Sequence, residues 1–289
     1  MKKFLSFCIT FLFFYAVLLE SSDLIMQTRI EANPMVDQSA RVALRECKNL
    51  MPDDHPAREQ LDRLYERVPR PSYSLKEMRE SGFTHIRMRH RGVTFAEHPL
   101  LPDYFFKAAC DKDSDAYFRS INFFLTDKWA VGEFTGRIKK RNAISRTVQN
   151  LGMTSIIVPQ KWLYLFPENS IPETSRGVQP KSTMVVAEKM DLLPYDQNLL
   201  LWKEMPEEDQ KDLFILVMMH QLHDPAPGNI WYTTDGRLAF IDTKAWSPRI
   251  TRPDLPLNWF GPLAQNRWKK LRKYGLPKRW RGLPRKWKG

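Results

Sequence analysis

The stretch from Glu207 to Asp242 constrains this chain more than any other. Glu207-Glu208-Asp209 opens it, and acids suit the positive end of a helix. Leu213, Phe214, Leu216, Val217 and Leu222 then supply a broad apolar surface, and Pro225 and Pro227 stop the helix. This predicts a helix from Glu207 to Leu222. Asn229-Ile230-Trp231-Tyr232 and Leu238-Ala239-Phe240-Ile241 follow as two short strands joined through Thr234-Asp235-Gly236, a hairpin turn signal. The pattern puts Asp224 in the loop, Asn229 at the first strand and Asp242 just past the second. Phosphoryl transfer uses such groups: a carboxylate beside the attacking hydroxyl, and oxygen ligands that hold Mg²⁺ against phosphates. Structural readings stay open beside this one, with Asp224 a cap, Asn229 a turn residue and Asp242 a strand-end carboxylate. A metal set of His220, His223 and Asp224 is a further alternative.

The segment before this stretch reads as a small α+β lobe. Short β-like runs occupy Thr84–Met88, Gly92–Phe95 and Tyr104–Ala108. A helix-like stretch runs from about Gly136 to Gln149, with Ile138, Ala143, Ile144 and Val148 apolar. Two more strand-like runs, Thr154–Val158 and Met184–Lys189, flank a loop rich in proline. Ahead of the lobe, Leu61, Leu64, Tyr65 and Val68 recur at helical spacing, bounded by Pro52 and by Pro69 and Pro71. A helical extension that packs on the lobe is expected there.

His223-Asp224-Pro225-Ala226-Pro227-Gly228-Asn229-Ile230 resembles the catalytic loop of protein kinases and of the related aminoglycoside and lipopolysaccharide kinases. In those families an Asn follows the catalytic Asp by five residues and a metal-binding Asp follows thirteen later, as Asn229 and Asp242 follow Asp224 here. Gly236-Arg237-Leu238-Ala239-Phe240-Ile241-Asp242 resembles them too, and the Pro-Gly-Asn variant is nearest the small-molecule kinases. Leu222 replaces the usual His, and Thr243-Lys244 the usual Phe-Gly, which sets the chain apart from eukaryotic-type protein kinases.

The resemblance implies an atypical protein-kinase-like fold of α+β class, two-lobed, with a reduced C-lobe, a helical N-terminal extension and a basic tail. It implies that Asp224 orients or deprotonates an acceptor hydroxyl, that Asn229 and Asp242 bind Mg²⁺, and that ATP is the nucleotide. Lys107, on an apolar strand before the helix, is the counterpart of the phosphate-pairing lysine; the alternative is a surface lysine. Its usual glutamate partner is missing between Arg137 and Gln149, and Glu133 is the nearest substitute. Val185-Val186-Ala187-Glu188-Lys189-Met190 resembles a hinge whose backbone at Glu188 and Met190 meets adenine, and is otherwise an ordinary buried strand. Only 47 residues follow Asp242, too few for a full peptide-binding C-lobe.

The remaining signals concern location. Met1-Lys2-Lys3 and the apolar run Phe4–Leu19 form the pattern of a signal peptide or signal anchor, so export or membrane anchoring is expected. Hydrophobic residues make up 43%, which excludes a mostly disordered chain. Outside the leader only Cys47 and Cys110 remain, which suggests no zinc site and leaves open whether the two pair. The net charge of +12 is concentrated between Arg267 and Lys288, where eleven Lys and Arg stand with no acid. Interleaved with Trp280, Trp287, Leu276 and Leu283, they suit an anionic membrane surface, with nucleic acid or a solvated end as alternatives.

The expected organisation is 1–22 leader, 23–83 helical extension, 84–193 N-lobe-like α+β, 194–260 reduced C-lobe, and 261–289 basic Trp-rich tail. Three functions follow: a phosphotransferase acting on a hydroxyl, an inactive pseudokinase that serves as a membrane-proximal binding module, or a purely interacting surface protein recruited by its basic tail.

Overall fold

The β-like runs from Thr84 onward do form strands, and a five-stranded sheet is the frame of the first half of the molecule. The computed structural model describes residues 27–31, 36, 38–45, 47, 49–67, 75–88, 93–109, 127–167, 181–222, 225–242 and 256–274. The leader, His223, Asp224, Cys110, Thr243, Lys244 and residues 275–289 lie outside the described residues. In chain order come α1 Gln38–Arg45, α2 Pro56–Tyr65, α3 Leu75–Glu80, β1 Thr84–Met88, β2 Val93–Glu97, β3 Tyr104–Ala109, α4 Asp127–Leu151 and β4 Ile156–Ile157. Then follow β5 Lys161–Leu165, β6 Thr183–Glu188, α5 Tyr195–Lys203, α6 Glu207–His220, β7 Ile230–Tyr232, β8 Leu238–Phe240 and α7 Pro262–Tyr274. The class is α+β.

The chain divides into two compact units, Met1–Thr135 with Trp162–Val186, and Gly136–Lys161 with Ala187–Gly289. This division assigns the residues of α4 to both units. That helix begins at Asp127, nine residues before the start expected from periodicity, and runs for 25 residues.

In the first unit the strand order is β1-β2-β3-β6-β5, with β1, β2 and β3 joined as antiparallel neighbours. Alternate side chains of the sheet meet α2, so that Leu61 and Tyr65 share a core with Phe106, Tyr164, Phe166, Met184 and Val186. His55 caps α2 by accepting from the Ala57 amide, and Pro56 opens its first turn without losing a bond the helix needs. A parallel bridge between Leu50 and Leu163 ties the segment before α2 to β5.

In the second unit a three-stranded sheet, β4-β8-β7, carries the hairpin, with Ile156 beside Leu238 on the parallel side. Gly236 turns the hairpin at φ +83, a left-handed conformation that glycine adopts without steric cost. Phe214, Leu216, Trp202, Tyr232, Phe240 and Trp268 meet in one core. α6 ends two residues before the expected Leu222. Gln221 takes the left-handed cap position at φ 47, and the Leu222 amide reaches back to the Val217 carbonyl at 3.0 Å, a Schellman-type closure.

The basic tail expected over 261–289 starts as part of this core. α7 buries Ala264, Trp268 and Leu271 while Lys269, Lys270, Arg272 and Lys273 face outward. Trp268 is fully buried and meets Phe214 edge to face at 5.1 Å, so this indole is a packing residue and not a membrane-interface one. A Cβ at Gly261 would stand 2.7 Å from the Lys203 carbonyl oxygen, so glycine is required where the chain crosses the end of α5.

Candidate functional site

The loop and hairpin of the second unit hold two of the expected site residues together. Pro225, Ala226 and Pro227 cannot extend α6, and the chain instead folds over Ala226, whose carbonyl accepts from Asn229 at 2.8 Å and from Ile230 at 2.9 Å. Asn229 then faces the far end of β8. Its carbonyl accepts from the amides of both Ile241 and Asp242 at 3.1 Å. Asn229 and Asp242, thirteen residues apart in sequence, are thus neighbours through backbone bonds. Asp224, the expected catalytic base, lies outside the described residues.

Asn198 on α5 secures this arrangement, and the sequence analysis did not single it out. It is fully buried, its amide nitrogen donates to the Pro227 carbonyl at 3.0 Å, and its oxygen accepts from the Tyr232 amide at 2.9 Å. Trp202, one turn further along α5, donates to the Ile230 carbonyl at 3.1 Å. A carboxamide among the apolar residues of α5 is the signal that could have found it, because a buried carboxamide must find partners.

The Asp242 carboxylate has a partner of its own. Arg137 on α4 donates from Nη1 to Asp242 Oδ1 at 2.5 Å, and the two side chains are 9% and 21% exposed. Three further cations surround this corner. Lys161, 2% exposed, donates from Nζ to the Ile241 carbonyl at 3.0 Å. Lys140 donates to the His220 carbonyl at the end of α6, where the helix dipole is negative. Arg141 holds the Pro159 and Val158 carbonyls at 2.8 and 2.9 Å, and burial lowers its pKa. Arg137, Lys140 and Arg141 stand at i, i+3 and i+4 and so share one face of α4.

Of the alternative metal set only His220 lies among the described residues, and its ring is engaged elsewhere. The His220 ring bonds to the Thr147 hydroxyl at 2.9 Å, and burial first, with the Lys140 charge second, lowers its pKa to about 4. Glu188 and Met190 are both half-buried at the end of β6, and the Glu188 carboxylate accepts from the Gln160 amide at 2.6 Å. In the first unit Lys107 lies on β3, is 4% exposed, and sets its ammonium 4.5 Å from the centre of the Phe95 ring. It is a buried cation, not a surface lysine. Glu133 is half-buried on α4.

The donor set can be tested against Mg²⁺. That ion takes hard oxygen ligands in near-octahedral geometry. Asp242 is the carboxylate available beside Asn229, and its Oδ1 is already bound to a guanidinium. Among the described residues no group of three or more His, Cys, Asp or Glu is arranged to hold a metal. With Oδ1 held by a guanidinium, the Asn229–Asp242 pair is a poorer fit to Mg²⁺ than the same pair without the arginine. No helix among the described residues is long and apolar enough to cross a membrane. No protein-family model matches the chain, and no curated protein matches its sequence.

Proposed function

We propose that the chain is a kinase-like nucleotide-binding protein of the pseudokinase kind, a binding module and not a magnesium-dependent phosphotransferase. The Arg137–Asp242 ion pair carries this reading, because it spends on a guanidinium the carboxylate that a working kinase spends on metal. Three observations support a kinase-like ancestry. Asn229 and Asp242 are held side by side; Lys107 is buried on the third strand of an antiparallel sheet; and a long helix follows that strand, the order in which kinases carry their lysine and its helix. The leader and the basic residues beyond Tyr274 fit a protein kept near an anionic membrane surface.

A second reading rests on the backbone bonds that bring Asn229 to Asp242 at the spacing a catalytic loop uses. In it Asp224 takes the proton of an acceptor hydroxyl, and the chain is a small-molecule or protein kinase. One experiment separates the two. Thermal denaturation of the full chain with ATP should give a nucleotide-dependent rise of about 2 °C or more, with no ATP consumed over hours. ATP turnover that is lost in Asp224→Ala with binding kept would establish the enzyme. No rise under any condition would remove both.

A further inference from the structure

Arg137 leaves the body of a 25-residue helix and meets Asp242 with its side chain 9% exposed. A guanidinium so rooted cannot turn to solvent without breaking its ion pair with a half-buried carboxylate. It also stays charged at every working pH. Lys161 adds a second buried cation on the Ile241 carbonyl, one residue from Asp242. Lys140 and Arg141 turn toward carbonyls nearby, which raises the positive potential of the same corner. A kinase of ordinary pattern sets its metal at the corresponding Asp to offset the charge of the phosphates.

We infer that Arg137 is the resident counter-ion of Asp242 in the position a magnesium ion would take, so that the chain binds the polyphosphate of a nucleoside triphosphate without a divalent cation. This rests on the nucleotide-binding reading above and deepens it. The guanidinium cancels the repulsion between Asp242 and an incoming phosphate, which is the metal's electrostatic task elsewhere. The guanidinium occupies Asp242 Oδ1, and its positive charge disfavours a divalent cation at the remaining oxygen.

Calorimetric titration of the full chain with ATP, once in EDTA and once in excess Mg²⁺, tests this. The wild-type Kd should agree within about twofold between the two conditions. Arg137→Gln should weaken binding about tenfold or more in EDTA and regain it with Mg²⁺, because Asp242 is released to the metal. Arg137→Gln combined with Asp242→Asn should stay weak in both. Without nucleotide, Mn²⁺ titration read by electron paramagnetic resonance should find a site in Arg137→Gln that the wild type lacks. Wild-type binding that requires Mg²⁺ overturns the inference and leaves the nucleotide-binding reading intact. No ATP binding in either condition overturns both. Should Arg137→Gln fail to fold, the two wild-type titrations decide alone.

Discussion

In the first unit, Arg58 and Asp62 stand one turn apart on α2, and Asp62 also accepts from the Tyr164 hydroxyl at 2.7 Å. Asp127, fully buried, accepts from the amide and hydroxyl of Ser182. A cavity of about 270 Å³ there is lined by Arg29 and Arg58 but also by Asp62 and Glu66, so its charges cancel. In the second unit, Arg137, Lys140, Arg141 and Lys161 point instead at the end of α6, the end of β8 and the linker before β5. The first unit balances buried charge locally and uses it to hold helix and sheet together. The second gathers four cations at the tips of elements, where Arg137 pairs with Asp242, Arg141 feels the Glu188 charge, and Lys140, Arg141 and Lys161 donate to backbone carbonyls. In the nucleotide-binding reading proposed above, this corner is the one that would receive the polyphosphate.

Substitutions can break the comparison at several strengths. The largest effect is expected in the first unit, where Asp127→Ala leaves the buried Ser182 amide without its acceptor. Chemical denaturation should show a loss of about 3 kcal/mol, while ATP affinity per folded molecule is unchanged. A loss of affinity there would show that this buried contact supports nucleotide binding as well as the fold. A smaller effect of opposite sign is expected at Asp212 in the second unit. It accepts from the Ser155 hydroxyl at 2.7 Å, its other oxygen is buried with no hydrogen-bond partner, and burial raises its pKa. The fold thus favours the protonated acid, and the stability this gives is present at low pH and lost as pH rises through the raised pKa. Asp212→Asn, neutral throughout, should be more stable than wild type by about 1 kcal/mol near pH ~8 and little different near pH ~4. An equal gain at both pH values would show that ionisation is not the cause. The smallest effect belongs to Asp235 in the hairpin turn. Arg237 first, and the Thr233 hydroxyl second, hold its pKa down to about 2, yet it is fully exposed. Asp235→Asn should shift the thermal midpoint by less than about 1 °C. A larger shift would mean the turn sets the register of the hairpin beneath the site.

The hairpin was legible because its signals are local: Asp-Gly between apolar runs, prolines after a helix, and a fixed spacing from Asn229 to Asp242. Four strands of the first sheet were legible for the same reason, and so was the buried face of α2, but β5 Lys161–Leu165 falls where a proline-rich loop was expected. What escaped is long-range. Asn198 had no motif, only a carboxamide among apolar neighbours, and its bonds to Pro227 and Tyr232 lie about thirty residues away in sequence. Arg137 was in view but read as an absence: the helix lacked the expected glutamate, and the arginine in that segment was the residue that mattered, 105 positions from its partner. Trp268 was assigned to a tail because cations surround it in sequence. In a helix those cations occupy one side and the indole the other, a distinction that composition does not make.

α7 changes what a run of positive charge is able to do. Lys269, Lys270, Arg272 and Lys273 are displayed from a helix whose opposite side is keyed into the protein interior by Trp268 and Leu271. Their spacing is set before any partner arrives, at about 1.5 Å of rise per residue. A polyanion that meets this raft has no chain entropy to quench, so contact with it is cheaper than contact with a free strand of the same composition.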